Sequence, residues 1–376
     1  MKLKSFYLER YFSKFEFSSK YLLSSSDCDG LGLEDLVAMA DPNELNLWQN
    51  LKLGYTESAG LPALREQIAS LYKNISSEET VILSPGEANF ICMNVLLNPD
   101  DHVICMAPAY QSLYEVANSV GCRVSFWSPK SDAGNNWYYD PEDLQKLFTK
   151  ETKLLILNFP HNPTGYIPNQ QDFERILNLA KEHHAWIFSD EMYHLLDRHL
   201  DYRPPPLCEV YDRGISLWGM AKSFALAGLR LGWVVCKQEE LLKEIISYKD
   251  YLTICSSAPS EILALIGLRN KESIIKNNNE KIAKNIQLFD SFCKRYPHVF
   301  SFSPPKAGST AFVKLLTEEP SLTFSEKLVQ MAGIMTLPAE MFEFGTHHLR
   351  IGFGRKSMPE VIPILGAYLD QNYRAN

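Results

Sequence analysis

A lysine set among apolar residues is the first chemically informative feature of this sequence. Lys222 lies in Met220-Ala-Lys222-Ser-Phe-Ala-Leu-Ala-Gly228, just past the apolar run Ile215-Ser-Leu-Trp218. Burying an ammonium group is expensive, so a lysine in this setting either loses its proton or is kept for chemistry, and Lys222 is a candidate Schiff-base former. Other polar groups also stand where apolar runs stop: Asn158-Phe-Pro-His-Asn162-Pro-Thr-Gly165, Ser189-Asp190-Glu-Met-Tyr193, Arg230, and His348-Leu-Arg350-Ile-Gly. An unpaired arginine between Leu349 and Ile351 on a strand is costly, which favours a ligand role for Arg350. Taken singly, each has a plain reading. Asn-Pro-Thr-Gly suits a turn, Asp190 suits a helix cap, and Tyr193 suits a core.

The elements that must position these groups are legible as short apolar runs bounded by turn residues. They are Val81–Leu83, His102–Met106, Val124–Trp127, Lys153–Phe159, Ala185–Ser189, Ile215–Trp218 and Leu231–Cys236. Continuous rather than alternating apolar character predicts strands buried on both faces. Helical patterns lie between several of them, clearest at Gln171–His184, where Phe173, Ile176, Leu177 and Ala180 share a face. Repeated strand, helix, strand predicts an α/β fold with a mostly parallel sheet, whose ligands bind at the carboxyl ends of the strands. After about residue 258 the pattern becomes one long helical stretch, roughly Ser260–Tyr296, followed by short strand-like pieces at Phe300–Phe302, Thr310–Leu315 and His348–Gly352. This predicts a connecting helix and a smaller α+β domain. An aromatic stripe near the start (Phe6, Tyr7, Tyr11, Phe12, Phe15, Phe17, Tyr21) reads as an arm packing on its own or a partner subunit in preference to a binding role.

Composition removes several function classes. The chain has 376 residues, 45% hydrophobic and 22% charged, with 37 basic and 45 acidic side chains and a net charge of −8. No basic block offers a nucleic acid or anionic membrane a footprint, and no apolar stretch suits a membrane span or a signal peptide, so neither partner is expected. The eight cysteines are never closer than thirteen residues and several sit inside apolar runs, which predicts reduced core residues and a cytoplasmic protein. Gly30-Leu-Gly32 lacks the third glycine of a dinucleotide fingerprint, and the adjacent pairs His183-His184 and His347-His348 point apart, so no metal is expected.

In their order and spacing, 28, 32, 8 and 120 residues from Asn162 through Asp190, Lys222 and Arg230 to Arg350, the polar segments resemble the fold-type I, class I/II aminotransferases that use pyridoxal 5′-phosphate. Tyr55-Thr-Glu-Ser-Ala-Gly60, Ser84-Pro-Gly86-Glu-Ala88 and Ala107-Pro-Ala-Tyr110 extend the likeness, which runs from about residue 50 to 355. The resemblance implies a large domain with a seven-stranded sheet over 46–260. It also implies a small domain made from 1–45 and from 261–376, the latter with the connecting helix. Lys222 would form the Schiff base and shuttle the proton, and Asp190 would pair with the protonated ring nitrogen. Tyr193 and Asn162 would bond the ring's phenolate oxygen, and Tyr110 would stack on the ring. Arg230 and the amides of Gly86, Glu87 and Ala88 would hold the phosphate. Arg350 would grip the substrate's α-carboxylate bidentately. Tyr55 would reach the phosphate of a neighbouring subunit, which implies a homodimer.

The expected reaction is ping-pong transfer of an amino group between an amino acid and a 2-oxo acid. The alternative on the same fold is a lyase, decarboxylase or amino-acid cyclase. A regulator that has lost catalysis would lack Lys222 or Asp190, and both are present. Two departures stand out. Ala221 and Gly219 occupy places where the family usually has serine, with Ser223 the nearest substitute, and Glu87 can offer phosphate only its backbone N–H. The loop Lys249–Pro259 contains no arginine for a second carboxylate, so aspartate is a poor match. That loop, with Cys255, and the segment Ser24-Ser-Ser26-Asp27-Cys28 suit a neutral, polar or cationic side chain, with Asp27 and Cys28 as substrate-binding candidates.

Overall fold

The computed structural model describes residues 2–198 and 200–374. Its larger sheet contains β1 (Thr80–Leu83), β2 (His102–Met106), β3 (Arg123–Trp127), β4 (Thr152–Asn158), β5 (Trp186–Asp190), β6 (Gly214–Gly219) and β7 (Gly232–Val235). Their spatial order is β1-β7-β6-β5-β4-β2-β3. Neighbours run parallel except at β7, which is antiparallel to both β1 and β6. The helices that matter for the site are α1 (Tyr7–Phe15), α2 (Pro85–Leu96), α3 (Ser112–Val120), α4 (Gln170–Glu182), α5 (Ala258–Arg269), α6 (Lys271–Cys293) and α7 (Met358–Asn372).

The strands are apolar throughout because both faces are covered. Val103 and Cys105 of β2 face a cluster with Ile91, Cys92, Leu113 and Val116 from α2 and α3. Ile104 and Met106 face the other way, toward Phe173, Ile176, Leu177 and Ala180 of α4. At the β7 end, Ile82, Trp218 and Trp233 pack on Ile262, Leu265 and Ile266 of α5. The cysteines are free thiols and six of the eight are buried, as the sequence predicts.

A second, antiparallel sheet joins β8 (Phe300–Ser301), β9 (Thr310–Leu315), β10 (Leu337–Pro338) and β11 (His348–Gly352) in the order β8-β9-β11-β10. It packs on Phe289 and Phe292 of α6 and on Val361 and Leu365 of α7. The chain's start joins this body: Tyr21–Leu22 pairs in parallel with Ile334–Met335, and Leu8, Tyr11 and Phe15 of α1 pack on Phe312, Met335, Leu337 and Phe342. The single long helix expected from about 260 is instead two. They meet at Asn270, whose Nδ2 donates to the carbonyls of Ile266 and Met39 and so diverts the backbone from helix geometry.

Candidate active site

The carboxyl ends of β4, β5 and β6 converge as open α/β sheets require. Asn158 ends β4, and its Nδ2 donates to the Asp190 carbonyl at 2.8 Å, so the two strand ends are tied together. Asp190, the last residue of β5, points its carboxylate into a cavity of about 400 Å³, where Oδ1 accepts the Met192 N–H at 3.1 Å. Burial lifts this carboxyl from 3.8 to about 6, against a smaller opposing pull from Lys222. Lys222, in the turn after β6, lines the same cavity and donates from Nζ to Ser26 Oγ at 2.9 Å. Tyr193, Tyr110, Asn162, Gly86, Arg230, Arg350 and Asp27 line it too.

Arg350 is held at the middle of β11, opposite Phe312 of β9 and Leu337 of β10. It is only 2% exposed, and burial lowers its pKa. Nε and Nη2 donate to the Ser24 carbonyl at 3.1 and 2.9 Å, and Nη1 donates to Asn162 Oδ1 at 3.3 Å. Among the described residues no carboxylate forms an ion pair with it. The approach of Ser24–Asp27 to this arginine depends on Gly352, where a Cβ would stand 1.7 Å from the Ser25 carbonyl oxygen. Asn162 is fixed in turn by its N–H, which donates to Asn158 Oδ1 at 2.7 Å.

Several expected residues lie elsewhere. Cys28 is 1% exposed in the core of the smaller body, and burial pushes its thiol up to about 12, so it is a packing residue and does not line the cavity. Cys255 is absent from the cavity wall as well. Ser223 does not replace the missing family serine. Its hydroxyl is fully buried and donates to the His194 carbonyl, while Ser26 supplies the hydroxyl beside Lys222. The amide group expected at the start of α2 is narrower than the sequence suggests, because Ala88 N–H donates to the Ser84 carbonyl and Glu87 N–H to Ser84 Oγ at 3.4 Å. Gly86 is left facing the cavity, with open space where a Cβ would stand. The Glu87 carboxylate is turned aside, taking the Ser84 N–H and the Thr253 hydroxyl. Tyr55 is 88% exposed and does not line this chain's own cavity.

Sequence reasoning ranked one wall second, preferring packing to binding for the N-terminal stripe, and named neither of its glutamates. Glu9, Phe12 and Glu16 of the α1 region line the cavity, along with Leu8, Ser26, Asn89, Met192 and Ala221. The spacing shows a second stripe without showing what it faces. Leu8, Tyr11 and Phe15 form the core stripe of α1, and Glu9, Phe12 and Glu16 repeat that stripe one position later. The arm packs on its own subunit, as one branch of the sequence reading had it, while its second face looks into the site. Tyr110 is fixed against this arm, with Phe6 4.8 Å from its ring and its hydroxyl donating to Glu9 at 2.6 Å.

These groups fit pyridoxal 5′-phosphate. A buried carboxyl held above its ordinary range is poised for a cationic ring nitrogen, and a lysine amine shares its cavity. Asn89 Oδ1, buried on the cavity wall, has no hydrogen-bond partner. Arg230 and the start of the twelve-residue α2 bring positive charge and a free amide to one end.

Comparison with known proteins agrees. The model of the family "Aminotransferase class I and II" matches residues 18–362. An aspartate aminotransferase of Sulfurisphaera tokodaii is 28% identical over 347 residues, covering 83% of each chain. Capreomycidine synthase of Streptomyces vinaceus is 26% identical over 358 residues, covering 93% of this chain and 88% of its own. The crystal structure of a PLP-dependent aminotransferase from Streptococcus suis 89-1591 superposes over 100% of both chains with a TM-score of 0.92 at 29% identity. The chain therefore belongs to the class I and II aminotransferases, and it is a pyridoxal-phosphate-dependent transferase of that α/β fold.

Proposed function

We propose that this enzyme moves an amino group from an amino acid to a 2-oxo acid in two half-reactions at one site, as a cytoplasmic homodimer. The observation that carries the reading is the meeting of Lys222, Asp190 and an arginine without a counter-ion, Arg350, in one cavity of about 400 Å³. Bound there, pyridoxal phosphate supplies an aldehyde that condenses with an amine and a ring that accepts the electron pair released at Cα. Asp190 would keep the ring nitrogen protonated, Tyr193 and Asn162 would bond the ring's phenolate oxygen, and Tyr110 would flank the ring. Arg230 and the Gly86 amide hold the phosphate. Arg350 orients the substrate by its α-carboxylate, through guanidinium protons already aimed by Ser24 and Asn162. Lys222 Nζ, steadied by Ser26, would carry the proton between the substrate's Cα and the cofactor's C4′, in one direction in each half-reaction.

The homodimer reading rests on a patch. Leu53, Tyr55 and Tyr251 are 85%, 88% and 88% exposed, and the two segments are tied by Ser58 Oγ to the Ile254 carbonyl and Asp250. Such a surface is covered in a stable dimer, where Tyr55 meets the other subunit's phosphate.

A second reading, a cyclase or lyase outcome with the same cofactor, is favoured by the likeness to capreomycidine synthase. The two are separated by mixing the purified enzyme with a panel of amino acids and following the cofactor's visible absorbance. Conversion to the amine form, reversed by a 2-oxo acid, is the expected result. Release of ammonia or carbon dioxide without that conversion supports the second reading. Equal spectra for wild type and Lys222→Ala would defeat both.

A further inference from the structure

The cavity holds more carboxylates than amino transfer requires. Glu9, Glu16, Asp27 and Asp190 line it, against Lys222, Arg230 and Arg350. Asp190 belongs to the sheet end, and Asp27 is met by Arg355 at 2.9 Å. Glu9 takes the Tyr110 hydroxyl. Glu16 has no ion pair or side-chain hydrogen bond among the described residues. Its carboxyl is raised by burial first and then by Asp27 and Glu9, which outweigh the opposing pull of Arg355 and Lys222, an arrangement that a cation in contact would relieve.

Arg350 points independently to an anionic group on the ligand in the same space, with its guanidinium 5.7 Å from the Phe12 ring. It is 2% exposed and aimed into the cavity without a counter-ion. Once Arg350 takes an α-carboxylate, no cation remains for a second one. Arg230 is exposed after β6 beside the start of α2, and Arg355 is occupied by Asp27. A distal carboxylate would face Glu9, Glu16 and Asp27.

Building on the aminotransferase reading, we infer that the α1 region selects the amino donor, and that this donor ends in a guanidinium or ammonium group received by Glu16 and Glu9. Phe12, on the same stripe, offers its apolar ring to the aliphatic stem. α1 suits this role because Leu8, Tyr11 and Phe15 anchor its opposite face on the smaller sheet.

The test compares arginine and lysine with their uncharged counterparts citrulline and norleucine, and with glutamate, as donors for the holoenzyme. A parallel calorimetric titration uses 5-guanidinopentanoate, which keeps the carboxylate and guanidinium of arginine but has no amino group to react. At least one cationic donor should exceed its uncharged counterpart in kcat/KM by about tenfold or more, as a charge-assisted contact allows. Glu16→Gln should shrink that ratio and weaken 5-guanidinopentanoate by a similar factor, while leaving the uncharged donors within about threefold. Glutamate or the uncharged donors matching the cationic ones, or a Glu16→Gln ratio equal to wild type, would overturn the proposal. The titration needs no turnover. Conversion by uncharged donors without Glu16-dependent binding would therefore sink this inference alone, whereas Glu16-dependent binding without conversion would sink the aminotransferase reading and keep the cationic ligand.

Discussion

Asp190 shows how one buried carboxyl couples the fold to its cofactor. Its pKa in the folded chain, about 6, lies above the ordinary 3.8, so the stability that this group contributes is full below pH 3.8 and is lost as pH rises to about 6. At ~1.4 kcal/mol per pH unit, that loss is on the order of 3 kcal/mol in the cofactor-free chain. A protonated ring nitrogen beside the carboxylate offsets it. The melting temperatures of cofactor-loaded and cofactor-free enzyme should therefore diverge as pH rises from 5 to 7, and Asp190→Asn should flatten that divergence. A gap that stays constant with pH in the wild type would show that Asp190 meets no cation. Lys222, Asp190, Asn162 and Arg350, which line one cavity, were legible as candidates, the first three as polar groups near the ends of apolar runs and Arg350 as an arginine between apolar strand neighbours. Ser26 was not legible as the partner of Lys222. The two are 196 positions apart, and the close passes of Ser25 over Gly352 and of Asp27 over Gly354 bring them together. Cys28 misled for a related reason, since a neighbour of Asp27 in sequence need not face the same way in space.

At the scale of elements, the strands of the large sheet were legible to within about two residues, because burial on both faces leaves an uninterrupted apolar run. The direction of β7 was not, since an apolar run reads the same whichever way the strand points. α1 is the instructive case. A helix with polar residues off its core stripe ordinarily shows them to water, and nothing in the pattern distinguishes water from a cavity. Its place is held by burial of Leu8, Tyr11 and Phe15, so truncating Phe15, 8% exposed, should cost about 3 kcal/mol. If α1 docks as a unit, that cost falls locally. Phe15→Ala should speed hydrogen exchange across residues 7–15 by about a hundredfold, leave β4 and β5 protected, and raise the KM for the donor more than it lowers kcat. Uniform acceleration over the whole chain would mean that α1 is part of the global folding unit and no separable wall.

At the scale of the molecule, the proposed homodimer predicts that the site on one chain is incomplete in a specific way. The residues for the ring, the reactive amine and the α-carboxylate line one cavity, while Tyr55, which the family resemblance places on phosphate, stands 88% exposed outside it. Lys249, fully buried, donates to the Ser58 carbonyl, and Ser58 bonds Asp250 and the Ile254 carbonyl, so the Tyr55 segment is held as part of a firm surface. A twofold dimer that pairs this surface with its copy makes each site depend on both chains. Two defective variants then repair each other. In a mixed dimer of Lys222→Ala and Tyr55→Ala, the Lys222→Ala chain has no reactive amine, but its intact Tyr55 reaches into the site of the other chain, whose Lys222 is present. Random reassociation of equal amounts yields about half mixed dimers with one complete site each, so activity should recover to about a quarter of wild type, well above the average of the two variants alone. Activity equal to that average after denaturation and joint refolding would place Tyr55 in the service of its own subunit, or of none.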